Sequence, residues 1–133
     1  MMLPFVFAGY LAFADPACPS DLLVANPQLK VVRARDKAFD LYVVTIDVKN
    51  RGVRPQPGAT QQHLDLAQKG AVIGSQPIPP LGAGESYPAA FRVVLPHQKP
   101  RPPFTVEFRY VLDSKNATAA NCTSANDKLS ATL

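Results

Sequence analysis

Two histidines and two cysteines are the side chains best suited to catalysis or to metal binding. They are His63, His97, Cys18 and Cys122, and none of the four is a close neighbour of another. A structural zinc site takes four ligands, and a catalytic nucleophile needs a base within reach. The chain also lacks a Gly-x-Ser-x-Gly elbow and a glycine-rich phosphate loop. We therefore predict no enzymatic activity, no cofactor, no metal and two solvated histidines.

The cysteines fit a different chemistry, which is a disulfide bond. Cys18 lies near the start of the chain and Cys122 near its end. A bond between them would join the two ends of the domain, as an oxidising compartment permits. Closing so long a loop stabilises a fold by on the order of 4 to 5 kcal/mol in the chain-entropy model. A metal-binding pair and two buried free thiols remain the alternatives.

The first 14 residues have the pattern of an export signal. They form an uncharged apolar run that ends in Ala12-Phe13-Ala14, a small-x-small cleavage pattern, so the mature chain would begin at Asp15. The run is too short to span a bilayer. We expect a periplasmic or extracellular protein with no integral membrane span after cleavage. The alternative is that the run forms a buried first strand.

Proline and β-branched residues indicate the fold class. The chain has 14 prolines in 133 residues, which leaves little room for long helices. Between them, apolar residues alternate with polar ones, most clearly where Tyr42, Val44, Ile46 and Val48 face one side. Residues 15–133 are therefore predicted to form one all-β domain, an antiparallel immunoglobulin-like sandwich of about seven strands. A small β-barrel is the alternative. The predicted strands cover residues 21–35 with a bend, 41–49, 62–68, 71–74, 91–95, 104–112 and 128–133.

Several short motifs occur in an order that is typical of one family. They are Asp21-Leu22-Leu23-Val24, Val48-Lys49-Asn50-Arg51-Gly52, Val72-Ile73-Gly74-Ser75 and Leu81-Gly82-Ala83-Gly84-Glu85. Together they resemble the CARDB family of bacterial cell-adhesion-related domains, over Asp21 to about Leu112. The resemblance implies an immunoglobulin-like sandwich and a binding or scaffolding role, and it does not name a partner.

The charged residues suggest where a partner would bind. The net charge is +4, too weak and too scattered for a nucleic-acid-binding protein. In the strand order of immunoglobulin domains, two basic loops would share one pole of the sandwich, whereas Lys49, Arg51 and Arg54 would lie at the other. Loops at sandwich ends are common binding surfaces. The predicted anionic-partner patch comprises Arg33, Arg35, Lys37, His97, Lys99 and Arg101, and ordinary solvated charges are the alternative.

These observations favour a non-catalytic, exported module of the bacterial envelope. It would contact a protein or an envelope polymer through its loops or through an open sheet edge. The alternative from another class is a secreted enzyme inhibitor or a small hydrolase, for which the proline-rich loop at residues 96–103 is the candidate protrusion. A structural subunit that assembles with itself is a third possibility.

Overall fold

A computed structural model describes residues 20–35, 37–113 and 127–133 of the chain. They form seven strands in two sheets whose paired strands are all antiparallel. One sheet has the order β1-β2-β5 and the other has the order β4-β3-β6-β7. The strands are β1 (Leu22–Arg33), β2 (Phe39–Asn50), β3 (Gln62–Gln68), β4 (Ala71–Ile78), β5 (Ser86–Pro96), β6 (Thr105–Leu112) and β7 (Lys128–Thr132).

The predicted all-β sandwich of about seven strands is confirmed. The two sheets are separate hydrogen-bonded ladders, so the described residues form a sandwich and not a closed barrel. No helix among them is long and apolar enough to cross a membrane. The predicted signal at residues 1–14, the cleavage point before Asp15, and both Cys18 and Cys122 lie outside the described residues.

Strand β2 is central to its sheet and forms where the alternation is strongest. Tyr42, Val44, Ile46 and Val48 are each at most 2% exposed and point into the space between the sheets. Burial of each such side chain stabilises the fold by about 1.5 to 3 kcal/mol relative to leaving the side chain in water. The core that they join is completed from the other strands and loops by Leu22, Val24, Leu64, Leu66, Ile78, Leu81, Ala89, Phe91, Phe104, Val106, Phe108 and Tyr110.

Two irregularities interrupt the alternation. The predicted bend in β1 is a register shift between Ala25 and Gln28, where Asn26 takes a positive φ of 60° and its side chain donates to Asp47. Asparagine tolerates that conformation better than most residues. The second shift lies between Leu66 and Ala67, and it was not predicted. Ala67 was expected on the polar face, but it is buried, at 1% exposed, while remaining outside the core cluster.

Neutral amides close the core at the pole where β2 ends. Asn50 is fully buried, and its Nδ2 donates to the carbonyls of Arg54 and Leu81. Its Oδ1 accepts from the backbone N–H groups of Asp21 and Gly52. One side chain therefore joins the start of β1, the loop after β2 and the loop before β5. Buried polar groups are costly unless paired in this way.

A second buried network lies beside it. The amides of Gln56 and Gln62 exchange two hydrogen bonds of 2.8 Å, and Gln56 Oε1 also accepts from the N–H of Leu81. Tyr110 donates its hydroxyl to Gln62 Oε1. Burial raises the pKa of Tyr110, so the hydroxyl keeps its proton and remains a donor. This network holds the loop after β2 against β3 and β6.

Gly74 in β4 offers a direct test of core packing. A Cβ on Gly74 would lie 2.9 Å from Cδ1 of the buried Phe91 ring, which would have to shift. We expect Gly74→Ala to lower the free energy of unfolding by about 1 to 3 kcal/mol, measured by urea denaturation. Gly58→Ala is the matched control, because nothing lies within 4 Å of its Cβ position and its φ is ordinary. Equal stabilities for the two variants would contradict the packing described here.

Candidate binding surface

The loops between β1 and β2 and between β5 and β6 meet at one pole of the sandwich. The N–H of His97 donates to the carbonyl of Ala38 at 2.9 Å, and Phe39 pairs with Pro96 in the sheet. We call this end the basic pole. It contains Arg33 at the end of β1 and the described cationic residues of the two loops and of the β3–β4 turn, which are Arg35, Lys37, Lys69, Lys99 and Arg101.

One buried carboxylate organises the basic pole. Asp40, at 5% exposed, accepts a 2.8 Å hydrogen bond on Oδ2 from Nδ1 of His97. Its Oδ1 lies 3.9 Å from Nε of Arg33, and the same Nε donates to the carbonyl of Lys37. The prediction of a solvated His97 was therefore wrong, because its ring is half-buried and held by Asp40. Arg33 and His97 position the two loops through this contact.

Arg101 also has a structural contact. Its guanidinium carbon lies 5.9 Å from the centroid of the Tyr42 ring, and Nη1 donates to the main-chain oxygen of Leu133 at 3.3 Å. A cation over an aromatic face is attracted by the electron density of the ring. Arg101 therefore covers the end of the core, where Tyr42 packs against Phe104 at a centroid distance of 5.1 Å.

The remaining cations of the pole are exposed. Arg35, Lys37 and Lys99 have no described carboxylate within ion-pair distance. Lys69 joins them at the same end, because β3 ends and β4 begins beside Thr105 at the start of β6. Lys69 was not among the residues predicted for the patch. The direction of the predicted β3–β4 hairpin was the signal that could have placed it at this pole.

The other pole carries charges of both signs, with Asp21, Glu85 and Asp113 among its described residues. Arg51, predicted to lie there, forms a 2.6 Å ion pair with Asp21. Lys49 and Arg54 are exposed at the same end. Lys49 and Arg54 also have no ion pair among the described residues, but carboxylates lie at their end of the sandwich, whereas Asp40 of the basic pole is buried and already engaged. The two ends therefore differ in the balance of their described charges.

A second candidate surface is an open groove of about 880 Å³ near the other pole. His63 lies in its wall with Nδ1 2.7 Å from Oδ2 of Asp113 and Nε2 3.3 Å from Oδ1 of Asp65. The prediction that His63 is a solvated histidine was wrong, since carboxylates hold both ring nitrogens. The rest of the lining is mainly neutral: Thr60, Gln61, Gln62, Ser75, Pro77, Ile78, Pro79, Pro80 and Tyr87.

The two carboxylates set the charge of His63. Burial lowers the pKa of His63, but the hydrogen bond with Asp113 and the charges of Asp65 and Asp113 outweigh it and raise the pKa above its usual 6.5. The protonated ring then donates on both sides, and the cluster ties the start of β3 to the end of β6.

The described contacts of the two histidines do not form a catalytic triad. A catalytic His–Asp pair needs a hydroxyl or thiol hydrogen-bonded to the free ring nitrogen. Both nitrogens of His63 face carboxylates, and no described hydroxyl bonds to His97. The part of the chain that the structure describes also holds no group of three or more His, Cys, Asp or Glu side chains that could bind a metal ion.

Comparison with solved structures confirms the resemblance to the CARDB family at the level of the fold. The CARDB domain of the PF1109 protein from Pyrococcus furiosus, solved in complex with di-metal ions, superposes with a TM-score of 0.52 at 18% identity, covering 86% of this chain and 91% of that domain. The ApaA protein of Bordetella pertussis, described as putative, matches at a TM-score of 0.45 and 17% identity, over 89% and 92% of the two chains. No family model and no curated sequence matches this chain.

The Asp65–His63–Asp113 cluster predicts a pH-dependent stability. A histidine whose pKa is raised on folding stabilises the protein fully below its unfolded pKa of about 6.5, and this contribution is lost as the pH rises through the folded pKa. We expect His63→Gln to remove that slope, with an effect on the order of 0.5 kcal/mol because the pair is partly exposed. Urea unfolding at a series of pH values measures it.

Asp113→Asn provides the partner control, because it removes the carboxylate that bonds to Nδ1 of His63. It should flatten part of the same slope, because Asp65 still faces Nε2 of His63, and the double variant should match His63→Gln. A slope that persists unchanged in His63→Gln would show that another group causes it.

Proposed function

We propose that this chain is an exported, non-catalytic binding domain that holds an anionic partner at the basic pole. The observation that carries the proposal is the charge at that pole. Four exposed cations, Arg35, Lys37, Lys69 and Lys99, come from three loops without an ion-pair partner among the described residues. Among the described carboxylates near them, Asp40 is buried and already engaged, and Glu107 is paired with Arg109. An anionic protein or envelope polymer would supply the missing counter-charges.

Charge and loop stiffness both support this role. A cluster of like charges raises the local potential, attracts anionic partners and speeds their association. The loop between β5 and β6 contains Pro100, Pro102 and Pro103, and proline reduces the freedom that a loop loses on binding. His97 fixes the base of that loop on Asp40. The cations are therefore presented on a partly ordered surface.

A binding role is also consistent with the fold and with the histidine contacts. The fold of CARDB domains implies scaffolding or adhesion but no particular partner. The di-metal ions of the Pyrococcus domain are not part of the proposal, because the described residues offer no cluster of ligands for them. The contacts of His63, which has a carboxylate at each ring nitrogen, support a non-catalytic role.

Charge reversal at the basic pole tests the proposal. The probe is immobilised dextran sulfate, a hydrophilic polyanion without an apolar surface. We expect Arg35→Glu with Lys99→Glu to weaken binding roughly tenfold or more at low salt, because two attractive contacts become repulsive. Surface plasmon resonance at several salt concentrations measures the affinity and its salt dependence.

Lys49→Glu with Arg54→Glu is the matched control at the other pole. It makes the same change in net charge, and both side chains are exposed. We expect it to retain most of the binding. Equal losses in the two double variants would mean that net charge alone governs binding, and the proposed site would then be wrong. Thermal midpoints near the wild-type value confirm that both variants are folded.

Export is tested by the intact mass of the protein recovered from its native envelope fraction. We expect a chain that begins at Asp15, with Cys18 and Cys122 protected from alkylation until reduction, because export removes the signal and oxidation joins the thiols. Mass spectrometry before and after reduction measures both features. A chain that retains Met1 and has two free thiols would contradict export.

A further inference from the structure

The outer face of the three-stranded sheet is unusually apolar next to the basic pole. In the ladder, Leu41 of β2 pairs with Val32 of β1 on one side and with Val94 of β5 on the other. Two residues earlier in β2, Phe39 pairs with Pro96 of β5. Val32 is 42% exposed, Phe39 39% and Val94 61%. We call the surface formed by these five residues and Val43 the apolar shoulder.

This surface is not needed for the core. Side chains alternate across a strand, so Leu41 and Val43 point away from the core that Tyr42 and Val44 fill. The solvated face of an antiparallel sheet is normally polar. A contiguous exposed apolar patch is typical of an interaction site.

Cations surround the apolar shoulder. Lys30 and Arg92 flank Val43 in the ladder, one on each neighbouring strand. Asp40, the carboxylate within β2 at this end, points inward to His97. Six large hydrophobic side chains are exposed among the described residues. All of them except Val53 lie in the half of the sandwich next to the basic pole. Apolar and cationic side chains therefore occur together at one end of the domain.

We infer that the apolar shoulder and the basic pole together dock this domain on an anionic lipid membrane. This inference rests on the proposed function, the recognition of an anionic partner at the basic pole, and it takes a membrane surface as that partner in place of a protein or polymer. Phosphate headgroups attract Lys and Arg side chains, while apolar side chains enter the boundary between headgroups and acyl chains. A soluble polyanion would contact the cations and leave Val32, Phe39 and Val94 in water. A bilayer engages both classes of side chain at once.

A second copy of the chain is a poorer occupant of this face. Two apolar shoulders packed against each other would bring Lys30 and Arg92 of one copy towards the same cations of the other. Like charges in a desolvated interface repel strongly. The charge pattern therefore favours a negatively charged surface over self-association.

Vesicle co-sedimentation tests the inference. We expect the domain to bind vesicles of phosphatidylglycerol mixed with phosphatidylcholine and not vesicles of phosphatidylcholine alone. Val94→Ser should weaken binding to the anionic vesicles by roughly three- to tenfold, because an apolar side chain no longer enters the interface. The same variant should bind dextran sulfate as the wild type does.

Val53→Ser is the matched control, because Val53 is 62% exposed against 61% for Val94 but lies in the loop after β2 at the other pole. It should leave both affinities unchanged. Binding to dextran sulfate without binding to anionic vesicles, or equal vesicle affinities for Val94→Ser and Val53→Ser, would overturn the membrane inference and leave the proposed function standing. If the wild-type protein binds neither dextran sulfate nor anionic vesicles, the membrane inference and the proposed function are both wrong.

Discussion

The arrangement of the basic pole depends on one buried carboxylate, Asp40. A charge removed from water is costly unless partners satisfy it. Asp40 accepts a hydrogen bond from His97 in the loop after β5, and its other oxygen lies 3.9 Å from Nε of Arg33 at the end of β1. These contacts fix two loops that are far apart in sequence. They also use the negative charge of Asp40 internally, so the cations further out keep their positive potential.

The opposite pole meets the same requirement with neutral groups. Asn50 and the Gln56–Gln62 pair satisfy buried backbone and side-chain atoms without adding a net charge. The charged pair that lies there, Arg51 with Asp21, is compensated. Both poles therefore seal the core, but among the described residues the excess of cations is larger at the basic pole. This difference makes the basic pole the better candidate for recognition of a charged partner.

Local patterns in the sequence predicted the strands, the bend in β1 and the pole to which the loops belong. They did not predict the contacts of His63 and His97, since each pairs with a carboxylate at least 50 positions away and such pairing depends on strand register. Ala67 was misplaced because a register shift leaves no clear signal in a short strand. The Cys18–Cys122 bond stays a prediction, because both residues lie outside the described part of the chain.

The two faces of β2 connect folding with recognition. Its inner residues, Tyr42 to Val48, are sufficient to explain why the strand is central to the core. Its outer residues Leu41 and Val43 contribute nothing to that core, and water contact with apolar side chains is unfavourable. The neighbouring strands add Val32 and Val94 to the same face and place Lys30 and Arg92 beside them. Exposed apolar side chains rimmed by cations match a surface that carries both apolar and anionic groups, as the proposed membrane partner does.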